Sequence, residues 1–90
     1  MKQYIESTIF IENELTKQSS IVPIMIDVRR VTHFYSYPKE LDTELEGDAT
    51  KIYFDDDVCF TLLMNYEEFK SQYFEKLSIL NIVDRNIKSN

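Results

Sequence analysis

The residues of this chain that are best suited to binding an anion lie close together between positions 29 and 35. Arg29 and Arg30 are followed by His33 and Tyr35, so two guanidinium groups, an imidazole and a phenol ring share one short segment. Guanidinium groups bind phosphate through paired hydrogen bonds, and tyrosine rings stack on nucleobases. These four residues predict a site for a small phosphorylated ligand such as a nucleotide, held between the subunits of a homo-oligomer. The competing interpretation is that both arginines form salt bridges with nearby acidic residues.

A second group of candidate residues is acidic and follows the first along the chain. Residues 38–48 predict an acidic loop or a short helix, with Leu41 and Leu45 on one face and Gly47 as its end. A face of this kind would dock onto a basic patch of a protein partner, because opposite charges speed the encounter. The residues assigned to this face are Glu40, Asp42, Glu44, Glu46, Asp48, Asp55, Asp56 and Asp57.

No set of residues matches a catalytic or metal-binding motif. Counted from Asp55, positions five and six of a calcium loop would be Cys59 and Phe60, which do not fit that motif. His33 and Cys59 are the only thiol and imidazole, and both fall in predicted strands without an orienting third group. Zinc sites usually need three or four ligands. The sequence therefore predicts a protein without enzymatic activity, cofactor or metal.

Size and composition limit the function further. Ninety residues predict a single domain over 1–90. Ten basic and sixteen acidic residues give a net charge of −6, which disfavours direct binding to nucleic acid. The single cysteine, the lack of a signal-peptide pattern and the short apolar run at 21–26 predict a soluble cytoplasmic protein that has no membrane partner.

Alternating apolar residues predict an antiparallel sheet. Residues 13–20 are either a turn or an extension of a hairpin, and 31–37 is either a third strand or the second strand continued after a bulge. Pro23 should lie on an edge strand or at a strand start. The 58–64 strand, which is apolar on much of both faces, should be central. The predicted strands are 4–12, 21–28, 31–37, 51–54 and 58–64.

An amphipathic helix should follow the last strand. Asn65 is a good N-cap, and Glu68 lies three residues further on. Residues 81–90 are a predicted tail, which would extend the helix or pack on a partner through Ile82, Val83 and Ile87. The predicted fold class is α+β, a small twisted antiparallel sheet of four to five strands packed against one C-terminal helix. The helix stripe that faces the sheet consists of Tyr66, Phe69, Tyr73, Leu77 and Leu80.

Three segments, 24–31, 50–57 and 63–69, resemble the hydrophobic template of small FlbD-like bacterial and phage proteins. In that template they would be an extended strand, a hairpin and a strand-to-helix junction. The chain departs from it by an acidic insertion at 40–48 and by Asp57, where the hairpin turn usually has glycine. The resemblance implies a small non-enzymatic regulatory or interaction module, and no catalytic residue carries over.

Together these features predict a small acidic binding protein, of the kind that phages use to inhibit a host protein with a basic surface. One alternative is an oligomer that sequesters a small phosphorylated ligand through Arg29, Arg30, His33 and Tyr35. The other is an FlbD-like flagellar or transcriptional regulator.

Overall fold

The computed structural model describes the backbone of residues 3–88 and the side chains of residues 3–81. Five strands form one antiparallel open sheet in the order β2-β1-β5-β4-β3, and one helix follows. This confirms the predicted α+β class. The elements are β1 (Tyr4–Glu12), β2 (Ser19–Asp27), β3 (Val31–Tyr37), β4 (Ala49–Phe54), β5 (Cys59–Leu62) and α1 (Tyr66–Lys88), with 3₁₀ turns at Val28–Arg30 and Lys39–Leu41.

The β1–β2 hairpin includes Ser19 and Ser20, in agreement with the interpretation that residues 13–20 extend a hairpin. β1 has the predicted bounds, but β2 begins at Ser19, so two polar residues of the supposed turn extend the hairpin. The side chain of Asn13 closes the turn by accepting hydrogen bonds from the backbone N–H groups of Leu15 and Thr16. Pro23 lies opposite Thr8 in β2, which is an edge strand as predicted. An edge strand tolerates proline because the missing N–H faces no neighbouring strand.

The 31–37 segment is a separate strand on the opposite edge of the sheet from β2. Only the Val28–Arg30 turn joins the two edges. From Asp27 to Val31 the chain spans at most roughly 14 Å. Four strand spacings of a flat sheet would be about 19 Å. The sheet therefore curves strongly, so that the end of one edge strand meets the start of the other.

The core lies between this curved sheet and α1. Phe69 and Leu80 of the helix are buried, and Tyr73 and Leu77 pack beside them, so the predicted helix stripe is confirmed at these positions. Phe34 of β3 meets Phe69 at a ring-centroid distance of 4.8 Å. The buried residues of the cluster are Ile5, Ile9, Ile26, Val28, Val31, Ile52, Leu62, Phe69 and Leu80.

The junction of sheet and helix follows the predicted pattern. β5 is the third of five strands and therefore central. Asn65 caps α1, because its Oδ1 accepts the Glu68 backbone N–H at 2.8 Å. The helix continues to Lys88, so residues 81–88 extend it instead of forming a separate tail. The side chains of Ile82, Val83 and Ile87 lie outside the described residues, so their packing on a partner stays a prediction. Among the described residues, no helix combines the length and the apolar character needed to cross a bilayer.

Residues 38–48 form a loop with one short helical turn, Lys39–Leu41. The expectation that Leu41 and Leu45 share one helical face is wrong, because Leu41 is 63% exposed and Leu45 only 7%. The helical turn ends at Leu41, so helical spacing no longer relates the two leucines. Gly47 consequently ends no helix.

Candidate functional site

The residues of the predicted acidic face are divided between the two ends of β4. The acidic loop (residues 38–48) precedes this strand, and Asp55, Asp56 and Asp57 form the turn after it. A strand of six residues separates the two groups by roughly 20 Å. The expectation of one continuous acidic face is therefore corrected to two separate groups.

The acidic loop lies against the β1–β2 hairpin and forms a cleft of about 500 Å³ with it. Three acidic residues, Glu44, Glu46 and Asp48, line the loop side. Serine, glycine and apolar residues complete the lining. We refer to this feature as the acid-rimmed cleft, and its other lining residues are Phe10, Ser19, Ser20, Ile21, Leu45, Gly47 and Leu63.

Several contacts hold the acidic loop in place. The Leu45 side chain is buried, while Glu44 and Glu46 on either side of it are exposed. The Oδ1 atom of Asp42 accepts the Glu44 backbone N–H at 3.0 Å, and that of Asp48 accepts the Lys39 N–H at 3.1 Å. Within the described side chains, neither glutamate forms an ion pair. The loop thus presents two unneutralised carboxylates from an ordered backbone.

Arg30 makes contacts that support the salt-bridge interpretation of the arginines. Its Nη2 atom lies 3.0 Å from Asp55 Oδ1 and 3.1 Å from Asp56 Oδ2. The hydrogen bond with Asp55, together with the charges of both aspartates, raises the pKa of Arg30 above its ordinary value. Arg30 and Asp56 also line a second groove, of about 480 Å³, beside β2. Two aspartates therefore already neutralise this guanidinium. Arg29 precedes it in the same 3₁₀ turn, and its backbone N–H donates to Asp27.

His33 and Tyr35 lie apart from the paired guanidinium, on the side of the sheet away from the core. In β3 they alternate with Phe34, which packs toward the core. Across the sheet His33 pairs with Tyr53, and Tyr35 pairs with Lys51, whose next neighbour is Thr61. We refer to this outer face of β3, β4 and β5 as the tyrosine platform. It consists of His33, Tyr35, Tyr37, Lys51, Tyr53 and Thr61.

The rings of the tyrosine platform are held together. The His33 and Tyr53 rings are stacked, with centroids 4.3 Å apart and an interplanar angle of 12°. The Tyr35 and Tyr53 hydroxyl oxygens are 3.2 Å apart, and either can donate the hydrogen bond. This bond and one with the Cys59 thiol raise the pKa of Tyr53 above its ordinary value. Tyr53 also stands between His33 and Cys59 in the sheet, so the thiol and imidazole do not form a pair.

Sequence reasoning missed Lys51, Tyr53 and Thr61. Alternation showed that residues two apart share a face, but only the strand register shows which residues of β4 and β5 lie beside β3. The apolar walls of the cleft, Phe10 and Ile21, were likewise assigned only to strands.

Comparison of the chain with protein-family models, with curated proteins and with solved structures finds no match. The resemblance to FlbD-like proteins stays a prediction. In the part of the chain that the structure describes, no three His, Cys, Asp or Glu side chains converge as a metal site would require.

Proposed function

We propose that this protein is a small non-enzymatic binding protein that uses the acid-rimmed cleft to hold a basic segment of a protein partner. The observation that supports this function is the combination of exposed carboxylates and apolar walls in one cleft. Lysine and arginine fit such a cleft because their charged ends meet carboxylates while their aliphatic stems cover apolar surface.

The ordered loop suits this role. Leu45 and the hydrogen bonds of Asp42 and Asp48 fix the backbone before a partner arrives, so binding spends less free energy on ordering the loop. Glu44 and Glu46 attract a basic surface, and Phe10, Ile21 and Leu63 supply apolar contact. A cytoplasmic protein of this kind would inhibit a host protein by covering its basic surface.

The test measures binding of a labelled extended peptide of alternating lysine and leucine, by fluorescence anisotropy at several salt concentrations. We expect the double variant Glu44→Lys/Glu46→Lys to raise the Kd about tenfold at low salt, and the difference to shrink as salt screens the charges. Asp48 stays unchanged, because its side chain supports the loop backbone.

The matched control is Glu14→Lys/Glu75→Lys, which changes net charge equally at exposed glutamates outside the cleft. Its Kd should stay close to that of the unmodified protein. Equal weakening of both variants would show attraction by net charge alone and would overturn the cleft as the binding site.

A further inference from the structure

Lys51 is a half-buried cation without an acidic partner. Its Nζ donates to Thr61 Oγ1 at 2.7 Å and lies 4.8 Å from the centroid of the Tyr37 ring. No Asp or Glu of the described side chains pairs with it, although the chain contains sixteen acidic residues. An ammonium group has three N–H donors, so donors remain for another acceptor. A partly desolvated cation in this situation favours an anionic ligand.

The strands around Lys51 carry no carboxylate, and the acidic residues of the acid-rimmed cleft lie outside these strands, in the acidic loop before β4. None of the residues of β3, β4 or β5 is an Asp or Glu. Glu6 and Glu12 lie on the same side of β1, the strand beyond β5, and neither pairs with Lys51. Tyr35 occupies the strand position directly opposite Lys51, and its hydroxyl reaches the Tyr53 hydroxyl in the next row. Ammonium and hydroxyl groups together provide the donors that phosphate oxygens accept.

The aromatic part of the platform lies one row away. His33 and Tyr53 are two residues along their strands from Tyr35 and Lys51, a distance of about 7 Å. His33 is exposed and stacks on Tyr53, so one face of the imidazole remains for another planar ring. Any nucleobase can stack on a ring of this kind, because every base has a flat aromatic face.

We propose that the tyrosine platform binds a mononucleotide, with the phosphate at Lys51 and the base on His33. A single nucleotide fits better than a nucleic-acid strand, because acidic residues stand at both ends of β4 and the net charge of −6 repels a polyanion. The site keeps His33 and Tyr35 from the sequence-based ligand set and replaces the two arginines with Lys51. It adjoins the acid-rimmed cleft, because Thr61 of the platform lies beside Phe10 of the cleft in the sheet.

The test titrates AMP, GMP, CMP, UMP and inorganic phosphate into the intact protein, by calorimetry. We expect Lys51→Gln to raise the Kd for a nucleotide about tenfold, because a charged hydrogen bond is lost. His33→Ala should weaken nucleotide binding by a similar factor and leave phosphate binding unchanged. Circular dichroism and thermal unfolding report whether each variant stays folded.

Lys70→Gln is the matched control, because Lys70 also lies over a tyrosine ring, that of Tyr66, but on α1. It should bind nucleotides as the unmodified protein does. Absence of binding at millimolar nucleotide, or equal weakening by Lys70→Gln, would overturn the proposal. Tighter binding of a single-stranded oligonucleotide, or a self-association that Lys51→Gln abolishes, would assign the face to another occupant and would also overturn it.

Discussion

Tyr53 shows how hydrogen bonds on the open side of a sheet raise the pKa of a phenol. The Tyr35 hydroxyl contributes most to its raised pKa, and the Cys59 thiol contributes next. Both partners stabilise the protonated phenol, so Tyr53 keeps its proton to a higher pH than an ordinary tyrosine does. A hydrogen-bonded phenol is also the form that can help hold an anion at the tyrosine platform.

We expect Tyr53 to ionise at a higher pH in the folded protein than in the unfolded chain. The unfolded chain releases this proton near pH 10, while the folded chain keeps it to higher pH. The stabilisation is therefore complete below pH 10 and decreases as pH rises above that value. Absorbance titration of tyrosinate, and unfolding free energies between pH 8 and pH 12, should show this decrease in the unmodified protein and a smaller one in Tyr35→Phe. Identical pH profiles for the two proteins would contradict the assigned cause.

At the scale of elements, the start of α1 depends on one side chain. The Oδ1 atom of Asn65 satisfies the Glu68 N–H, which has no partner within the helix. We expect Asn65→Ala to lower the free energy of unfolding by about 1 kcal/mol. Asn65→Asp, which keeps a side-chain acceptor, should lower the free energy of unfolding by only a few tenths of a kcal/mol. Chemical denaturation of the three proteins tests this, and an equal loss in both variants would mean that the cap adds little.

Elements with local signals were predictable, whereas their neighbours in the sheet were not. The Asn65 cap and the spacing of Phe69, Tyr73 and Leu77 depend on residues a few positions apart, and they predicted α1 correctly. Which strand lies beside which depends on contacts between distant residues. The alternation over 21–37 fits one strand or two equally well, and only the curved sheet shows that Val28–Arg30 connects opposite edges.

Distance along the chain also explains which predicted site residues lie together in the fold. Arg30 and Tyr35 are close in sequence, but the 3₁₀ turn places Arg30 beside Asp55 and the strand places Tyr35 beside Lys51. The residues of the acidic loop are close in sequence and also lie together in the fold, where they form one wall of a cleft. Its other wall comes from β1 and β2, which are far away in sequence.

The molecule as a whole is more extended than its length requires. Its radius of gyration is 15.2 Å, whereas a compact chain of ninety residues has about 12 Å. Its longest dimension is 55 Å. The far end of the β1–β2 hairpin contributes to this shape, because every residue from 11 to 21 is exposed and Leu15 at its tip is 96% exposed.

The hairpin tip should therefore be dispensable for folding. Asn13 and Gln18 form the hydrogen-bonded pair that closes the hairpin, so a two-residue Asn-Gly turn can replace residues 14–17 without changing the register. The replacement removes Lys17, whose φ of 60° is unfavourable for a residue with a side chain. We expect the free energy of unfolding to stay equal or to rise by up to about 1 kcal/mol, and small-angle scattering to show a smaller radius of gyration.

The comparison variant is Ile9→Ala, in the buried part of the same hairpin. This substitution should lower the free energy of unfolding by about 2–5 kcal/mol. That loss would show that the measurement detects a destabilising change in the part of the hairpin that is buried in the core. If the shortened turn cost as much as Ile9→Ala, the tip would have to pack against the rest of the molecule, contrary to its exposure. Unchanged stability together with unchanged binding of the lysine–leucine peptide would show that binding needs no residue of the tip, as expected if the peptide binds beside it, where Ser19, Ser20 and Ile21 line the acid-rimmed cleft.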